Sequence, residues 1–385
     1  MTAPADLEPR FNLRRFLLSG DGWPYLLVPF IPVAIVLELL HTGATPIFVA
    51  AALGVIPTAA LMGRSTEELA ARSGPGIGGL LNVTFGNFPE LVIALFALRE
   101  GLQEVVKASI VGSILGNILL VMGAAMLVGG LSGGRTHGVQ KFGQTAASAQ
   151  STMLLLAVAA LIMPGVFALV EGDGLPHPGD DLVNYSSTLE HLSLAVACVL
   201  IVSYAAGLLF SLRTHSRLFN PHEDESSTEG RGDWSTRRSV IALAISGALV
   251  GVLSEILVGS IEETSHAIGL SEFFIGAIVV AIVGNAAEHW VAVLVAYKNK
   301  MSLAVNIAIG SSAQVALFVA PVLVLCSFFL GPQPMALVFN GLELAALAVA
   351  AIIANQVTQE GESTWYEGLQ LLLLYAVLAL AFGFA

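Results

Sequence analysis

Apolar residues fill most of the chain in long runs that short polar segments separate. Several runs reach about 18 residues or more, which is long enough to cross roughly 30 Å of hydrocarbon as a helix. The strands of about ten alternating residues that a membrane barrel requires are not seen. We therefore expect an all-α polytopic membrane protein of about eleven transmembrane helices, centred near residues 32, 54, 88, 119, 161, 201, 249, 285, 316, 344 and 374.

Composition supports the same class. Hydrophobic residues make up 56% of the chain and charged residues 11%, and the mean hydropathy is +0.82. The chain has too few polar residues to cover the surface of a soluble globular protein of 385 residues. We therefore expect it to lie in a lipid bilayer. The net charge of -12 reflects acidic loops around a membrane body, and no nucleic-acid partner is expected.

Basic residues predict the orientation. With a cytoplasmic N-terminus and an outer C-terminus, only Arg99 and Lys107 fall on the outer side. We expect no cleaved signal peptide, because the first run is long and leads directly into a second span. The short linker and tails favour a prokaryotic plasma membrane, with a vacuolar or other organellar membrane as the alternative. The basic residues assigned to the cytoplasm are Arg10, Arg14, Arg15, Arg64, Arg72, Arg135, Lys141, Arg213, Arg217, Arg231, Arg237, Arg238, Lys298 and Lys300.

A polar motif interrupts two of the apolar runs. The sequence GNFPE begins at Gly86, and GNAAE begins at Gly284, 198 positions later. The same offset places VGSILGN, residues 111–117, opposite IGSSAQV, residues 309–315. Landmarks that stay in register across two helices indicate an internal repeat.

The repeat predicts how the halves are arranged. Five spans separate the two copies, and an odd number reverses the direction through the membrane. We therefore expect two inverted five-helix repeats plus an extra N-terminal helix, a plan common among transporters. The predicted parts are residues 1–44 with the first helix, a first repeat over 45–212, a polar cytoplasmic linker over 213–238 and a second repeat over 239–385.

Each motif places a glutamate near the middle of a span, Glu90 in the first copy and Glu288 in the second. A charged residue at this depth costs roughly 2.5 to 3.5 kcal/mol on insertion scales, so it is normally partnered, protonated or functional. These spans contain no Lys or Arg that would pair with it. The functional alternative is a transport site; the structural alternative is a pair of protonated acids that hold helices together by hydrogen bonds.

The neighbouring residues supply oxygen atoms. Gly86 with Pro89, and Gly284 in the second copy, are expected to weaken helical hydrogen bonding and expose backbone carbonyls, and Gly112 and Gly310 are assigned the same backbone role. Carboxylate, amide and hydroxyl oxygens suit a hard cation such as Ca²⁺, which takes about 6 to 8 of them. Serine and amide side chains also join membrane helices without binding a substrate. The candidate supporting ligands are Asn87, Asn285, Asn117, Gln314, Ser113 and Ser311, with Ser312 as a further hydroxyl.

Two buried carboxylates also suggest the energy source. Protons and a divalent cation compete for such a pair, because each neutralises the same charges. A carrier that crosses only when its acids are occupied is an antiporter. Glu90 and Glu288 are therefore predicted to bind the cation and to carry the exchanged protons.

The paired motifs resemble the two signature repeats of the calcium/proton exchanger (CAX) family, within the calcium/cation antiporter superfamily. The resemblance runs from about residue 45 to the C-terminus. It implies ten core helices in two inverted halves, an extra first helix, Ca²⁺ exported against H⁺, and cation binding by Glu90 and Glu288. The acidic segment between the halves is shorter here than in eukaryotic members, and its acids are Glu223, Asp224, Glu225 and Glu229.

Several alternatives stay open at this point. A sodium/calcium exchanger, or an exchanger of another divalent ion such as Mn²⁺, is the runner-up; sodium-binding relatives place Thr and Ser before the acid, where this chain has Asn87 and Asn285. A channel is the other class, disfavoured by the inverted repeats. His289 follows Glu288 and is either a proton relay or a histidine bonded to a neighbouring helix. No enzyme motif and no cofactor are predicted, and the oligomeric state is undetermined.

Overall fold

The computed structural model describes residues 19–20, 22–132, 139–179, 183–214 and 233–385. Within these ranges the regular secondary structure is helical apart from one short two-stranded sheet. A single helical turn, Trp23–Leu27, precedes the first α-helix. The elements are α1 (Phe30–Leu39), α2 (Ala44–Gly86), α3 (Phe88–Arg99), α4 (Gln103–Leu131), β1 (Val139–Lys141), α5 (Gln144–Glu171), α6 (Ser187–Thr214), α7 (Thr236–Gly259), α8 (Ile261–Ile268), α9 (Glu272–Tyr297), α10 (Met301–Ser327), α11 (Gly341–Thr358), β2 (Glu362–Thr364) and α12 (Trp365–Gly383).

Nine helices of the described chain are long and apolar enough to cross a bilayer. They are α2, over Ala44–Ser73, and α4, α5, α6, α7, α9, α10, α11 and α12. The predicted span near residue 32 corresponds to the helical stretch Trp23–Leu39, which lies below 18 residues. The predicted span near residue 88 is divided between the end of α2 and the 12 residues of α3. The all-helical membrane architecture is confirmed, and the count of eleven stays a prediction.

Helix α2 accounts for two of the predicted spans. A straight helix of its 43 residues would measure about 65 Å, twice the thickness of the hydrocarbon layer. A Cβ atom at Gly78 would lie 2.5 Å from the carbonyl oxygen of Ala70, whereas eight residues of straight helix separate two points by about 12 Å. The helix therefore folds sharply between these residues, within the stretch SGPGIGG, residues 73–79. Its first arm corresponds to the span predicted near residue 54, and its second arm, together with α3, corresponds to the span predicted near residue 88.

Two helices form the centre of the molecule. In α4, 83% of the most apolar 18-residue stretch is buried inside the protein, and in α10 the buried share of the corresponding stretch is 72%. The corresponding share is 17% in α6 and α12, whose apolar surfaces face outward. Helices α4 and α10 also match each other at the repeat offset, since Gln103 and Met301 begin them. The second motif of each half therefore lies on a central helix.

Contacts between loops bring helix ends together at three places. Strand β1 pairs antiparallel with β2, so the loop before α5 meets the loop before α12. Trp234, just before α7, donates its backbone N–H to Glu68 of α2 at 3.0 Å. Glu104 of α4 accepts from the backbone of Gly179, in the loop before α6, at 2.5 Å. The alternation of the helix ends across the membrane stays a prediction.

The two basic residues on the predicted outer side have specific partners. Arg99 lies 2.9 Å from both Glu100 and Glu255 and forms an exposed ion pair with each. Lys107 is buried and donates to the carbonyl oxygen of Val338 at 3.0 Å. Val338 belongs to a buried, non-helical strap over residues 335–340 between α10 and α11.

Part of the predicted linker lies outside the described residues. Helix α6 ends at Thr214 and α7 begins at Thr236, and the acids Glu223, Asp224, Glu225 and Glu229 fall between the described ranges. Arg10, Arg14, Arg15, Arg135, Arg217 and Arg231 also fall outside them.

Candidate functional site

The first glutamate lies just after a break between two helices. Helix α2 ends at Gly86, Asn87 has φ -99° and ψ 21°, and α3 begins at Phe88. Pro89 occupies the first turn of α3, where its missing N–H costs no helical hydrogen bond. Glu90 follows in the same turn. The predicted break at Gly86 and Pro89 is thus observed.

The second copy has no corresponding break, which corrects the prediction for three glycines. Gly284 and Glu288 lie inside the continuous helix Ala281–Tyr297, where alanines stand in place of the proline. Gly112 and Gly310 also lie within regular helix. A lone glycine costs a helix only about 1 kcal/mol, so tertiary packing overrides it.

These glycines instead allow close approach between the halves. A Cβ atom at Gly284 would lie 3.0 Å from Cγ of Glu90, and one at Gly86 would lie 3.4 Å from Oε1 of Glu288. Each glutamate therefore packs against the glycine of the other motif. At Gly112 a Cβ atom would overlap the carbonyl oxygen of Ala277, so α4 and α9 touch through their backbones.

A hydrogen-bonded group surrounds Glu288. The Ser311 hydroxyl lies 3.0 Å from Oε2 of Glu288 and 3.1 Å from Oδ1 of Asn87, and its single hydrogen can be donated to one of them at a time. Asn87 donates its amide to Oε1 of Gln314 at 2.6 Å. Ser312 points elsewhere, because its hydroxyl donates to the helix carbonyl of Ala308 at 3.0 Å. The structure thus unites Asn87, Ser311, Gln314 and Glu288.

The other half repeats one of these contacts. Asn285 donates its amide to the Ser113 hydroxyl at 3.1 Å and to the carbonyl of Ala281 at 3.0 Å. At the offset of 198, Asn285 corresponds to Asn87 and Ser113 to Ser311. The same pair of side chains therefore meets twice, with the halves exchanged.

Several buried polar atoms near these groups accept or donate no hydrogen bond within the described chain. They include both carboxylate oxygens of Glu90, Oδ1 of Asn285, Nδ2 of Asn117 and Nε2 of His289. Buried polar groups in proteins are nearly always partnered, so each of these needs an explanation. A site that binds an ion through oxygen would explain the Glu90 and Asn285 atoms.

His289 lies apart from the Glu288 hydrogen bonds. Its ring carbon Cε1 is 3.7 Å from the position that a Cβ atom would take at Gly116 of α4. Adjacent residues of a helix point about 100° apart, which agrees with this separation. The role of His289 as a proton relay stays a prediction.

The described residues contain no group of three His, Cys, Asp or Glu side chains placed to hold a metal ion. An ion at this site would therefore draw on two carboxylates and on neutral oxygens. Short π-helical turns, Gly116–Val121 and Val315–Val319, overlap the last residues of the motifs on α4 and α10. Such turns are frequent at functional sites, and the sequence did not indicate them.

One further residue near the site was missed from sequence. Oε1 of Gln150 in α5 is buried without a partner in the described chain and lies 3.9 Å from the Cβ position of Gly310. A lone glutamine in an apolar helix was the available signal.

Comparison with known proteins assigns the chain to a family. The sodium/calcium exchanger protein family matches residues 43–213 and 238–384, nearly the whole chain. The chain belongs to this family. The matched ranges of this family member include both glutamate motifs and both central helices.

Individual relatives resemble this family member over almost its full length. A Ca(2+)/H(+) antiporter of Aphanothece halophytica is 43% identical over 373 residues, which cover 93% of this chain and 95% of that protein. Ca(2+)/H(+) antiporter ChaA of Bacillus subtilis is 41% identical over 354 residues, with coverages of 91% and 96%. A vacuolar calcium ion transporter of Schizosaccharomyces pombe is 37% identical over 358 residues, with coverages of 93% and 84%.

Solved structures agree with this assignment. Native YfkE superposes with a TM-score of 0.77 at 37% identity and covers 94% of this chain and 100% of that one. The H+/Ca2+ exchanger CAX superposes with a TM-score of 0.67 at 14% identity, covering 95% and 92%, which establishes the shared fold. The resemblance to calcium/proton exchangers that the paired motifs indicated is confirmed.

Proposed function

We propose that this protein is a secondary active transporter that exchanges Ca²⁺ for H⁺ across a membrane. The observation that carries the proposal is the placement of Glu90 and Glu288, one from each half, each packed against the glycine of the other motif. Relatives that are 41% and 43% identical are named Ca(2+)/H(+) antiporters. Ca²⁺ and H⁺ are therefore the proposed substrates, with no resident cofactor and no catalytic chemistry.

The site chemistry supports a hard divalent cation. Glu90 and Glu288 supply at most about four of the 6 to 8 oxygens that Ca²⁺ takes. The amide oxygens of Asn87, Asn285 and Gln314 and the Ser311 hydroxyl are the proposed neutral ligands. Asn117 and Ser113 are proposed to support them, because Ser113 accepts from Asn285 and Asn117 follows the same face of α4 by one turn.

Exchange follows from occupancy of the two acids. A bound Ca²⁺ neutralises both carboxylates, and protons neutralise the same carboxylates when the cation leaves. Crossing with two bare charges is disfavoured by the cost of burying them in a low-dielectric medium. The carrier therefore returns only with protons bound, which couples the two fluxes.

The predicted architecture is proposed to serve this cycle. Eleven spans would form two inverted halves, over residues 45–212 and 239–385, joined by a cytoplasmic linker over 213–238. The contacts Ser311 to Asn87 and Asn285 to Ser113 support a two-fold relation between the halves, because they are the same pair exchanged. An N-terminus in the cytoplasm, a C-terminus outside and a prokaryotic plasma membrane complete the proposal.

The test is Ca²⁺ uptake into proteoliposomes with an imposed pH gradient, followed together with an internal pH dye. Wild type is expected to exchange Ca²⁺ for protons in sodium-free buffer, and Glu288→Gln to lose both fluxes. Glu171→Gln, an exposed acid at the end of α5, is the isosteric control and keeps wild-type transport. Ca²⁺ entry without proton movement, or uptake that requires Na⁺, contradicts the proposal.

A further inference from the structure

A groove lies between α2 and α7, on the side of the molecule that holds the N-terminal end of α7. Its volume is about 390 Å³, within the range of small-molecule sites. Its walls are apolar and are formed by Leu61 of α2 and by Ile241, Ala242 and Ile245 of α7. Arg237 and Arg238 line the end nearest the start of α7.

The groove opens toward lipid. Ile241 is 48% exposed and Ile245 is 51% exposed, and both lie on a helix that is apolar enough to span a bilayer. Apolar side chains exposed on such a helix face hydrocarbon. An apolar groove in that surface is filled by acyl chains, because water has no hydrogen-bond partners there.

The charged end of the groove is built and positioned by aromatic and polar contacts. Trp234 is buried between two guanidinium groups, with Arg238 4.2 Å and Arg64 5.2 Å from its ring centre. The Ser235 hydroxyl caps α7 by accepting the backbone N–H of Arg238. Tryptophan is typical of the membrane interface, which places this end of the groove at headgroup depth.

Arg237 remains available to a ligand. Within the described residues Arg237 forms no ion pair, in contrast to Arg99 and Lys141. It is exposed at the mouth of an apolar groove, beside a second arginine that is held by Trp234. Guanidinium groups bind phosphate through paired N–H donors.

We propose that the groove between α2 and α7 binds one anionic glycerophospholipid, with an acyl chain along Ile241 and Ile245 and the phosphate at Arg237 and Arg238. The acyl chains of a zwitterionic lipid fit the apolar wall equally well, but its headgroup brings a positive charge close to the two arginines. The charge of the headgroup therefore decides which of the two lipids the groove prefers. The inference concerns lipid binding alone and does not depend on which ions the protein exchanges.

Native mass spectrometry of the detergent-solubilised full chain tests the proposal. The protein is incubated with an equimolar mixture of dioleoylphosphatidylglycerol and dioleoylphosphatidylcholine, and the retained lipid is counted. Wild type is expected to retain one phosphatidylglycerol in preference. Arg237→Gln is expected to lower that preference about fivefold, and Lys298→Gln, which changes an exposed basic residue that does not line the groove, is expected to leave it unchanged.

A second variant examines the apolar wall. Ala242→Phe fills the groove and is expected to reduce retention of both lipids, whatever their headgroups. Excess glycerol phosphate is expected not to displace the lipid, because it lacks the acyl chains. Equal retention of phosphatidylglycerol by wild type and Arg237→Gln, or its displacement by glycerol phosphate, overturns the proposal.

Discussion

The Ser311 hydroxyl lies 3.1 Å from the Asn87 side-chain oxygen, although 224 residues separate the two along the chain. Their counterparts in the other half, Ser113 and Asn285, lie at the same distance with the direction of the contact reversed. The hydroxyl of Ser311 additionally reaches Glu288, and no described side chain reaches the Glu90 carboxylate through a hydrogen bond. The two halves are therefore similar in layout and different in how each carboxylate is held.

Replacing Ser311 by alanine is expected to weaken Ca²⁺ binding. Hydrogen bonds to charged groups contribute about 1.5 to 3 kcal/mol, so the half-saturating Ca²⁺ concentration is expected to rise roughly ten- to hundredfold. Ca²⁺ uptake over a range of concentrations measures it. Ser312→Ala is the matched control, because that neighbouring hydroxyl bonds to the Ala308 carbonyl, and it is expected to stay within about twofold of wild type. Equal effects of the two substitutions would contradict the assignment.

Replacing Gly284 by alanine is expected to displace Glu90. The added Cβ atom would lie 3.0 Å from Cγ of Glu90, closer than an ordinary van der Waals contact. Since small displacements of a reacting group carry large costs, the transport rate is expected to fall roughly ten- to hundredfold. Gly251→Ala in α7 is the control, because a Cβ atom there meets no described atom within 4 Å. A Gly284→Ala protein that transports like the control would show that Glu90 tolerates the contact.

Glutamine at position 90 is expected to abolish exchange while the protein still folds. The amide keeps the shape of the side chain and removes both the negative charge and the exchangeable proton. Ca²⁺ uptake and the proton signal are expected to disappear together, with a thermal unfolding midpoint close to that of wild type. Wild-type uptake by Glu90→Gln would remove Glu90 from the site.

Protons are expected to compete with Ca²⁺. As the pH falls on the side from which Ca²⁺ binds, more of the Glu90 and Glu288 carboxylates carry a proton, so the half-saturating Ca²⁺ concentration rises and saturating Ca²⁺ restores the rate. Initial uptake rates over a grid of pH and Ca²⁺ concentrations, with the opposite side constant, measure this dependence. If the maximal uptake rate falls with pH while the half-saturating Ca²⁺ concentration stays constant, protons act at groups other than the Ca²⁺-binding carboxylates.

Lys107→Met is expected to destabilise the protein. The buried ammonium of Lys107 donates to the Val338 carbonyl at 3.0 Å and lies 5.8 Å from the centre of the Tyr185 ring. Methionine preserves the aliphatic volume but leaves that carbonyl without its donor, at a cost of about 1 to 3 kcal/mol. Thermal unfolding in detergent measures the effect. Lys141→Met is the control, because that lysine is 80% exposed in its ion pair with Glu362, and such pairs contribute about 1 kcal/mol or less.

Prediction from sequence succeeded where the signal is local. Apolar runs require helices in a bilayer because every backbone polar group must be bonded within the segment, so the nine long helices of the described chain follow from hydropathy. The repeat was visible because the spacing between Asn87 and Ser113 equals that between Asn285 and Ser311. The helix break at Gly86 was also foreseen, since Pro89 two positions after Asn87 favours the start of a new helix.

Prediction from sequence failed where the conformation or the contacts of a residue depend on neighbours that are distant along the chain. Gly284, Gly112 and Gly310 were expected to loosen their helices, yet they stay helical. Gly284 and Gly112 make room for the Glu90 side chain and for the Ala277 backbone. A glycine that breaks a helix and one that receives a neighbour look alike in one sequence, because the difference lies in what packs against them. The same reason hid the role of Lys107, whose partner Val338 lies 231 residues away.

The sequence by itself determined the membrane class, the repeat and the residue types of the site, because hydropathy, spacing and side-chain chemistry are properties of the chain. Only the tertiary structure decided that Asn87 meets Ser311 and Gln314, that Glu90 packs on Gly284, and that Arg237 lies at the mouth of an apolar groove. Such contacts depend on how helices from the two halves cross. That crossing is set by the packing of many side chains together, and no single motif encodes it.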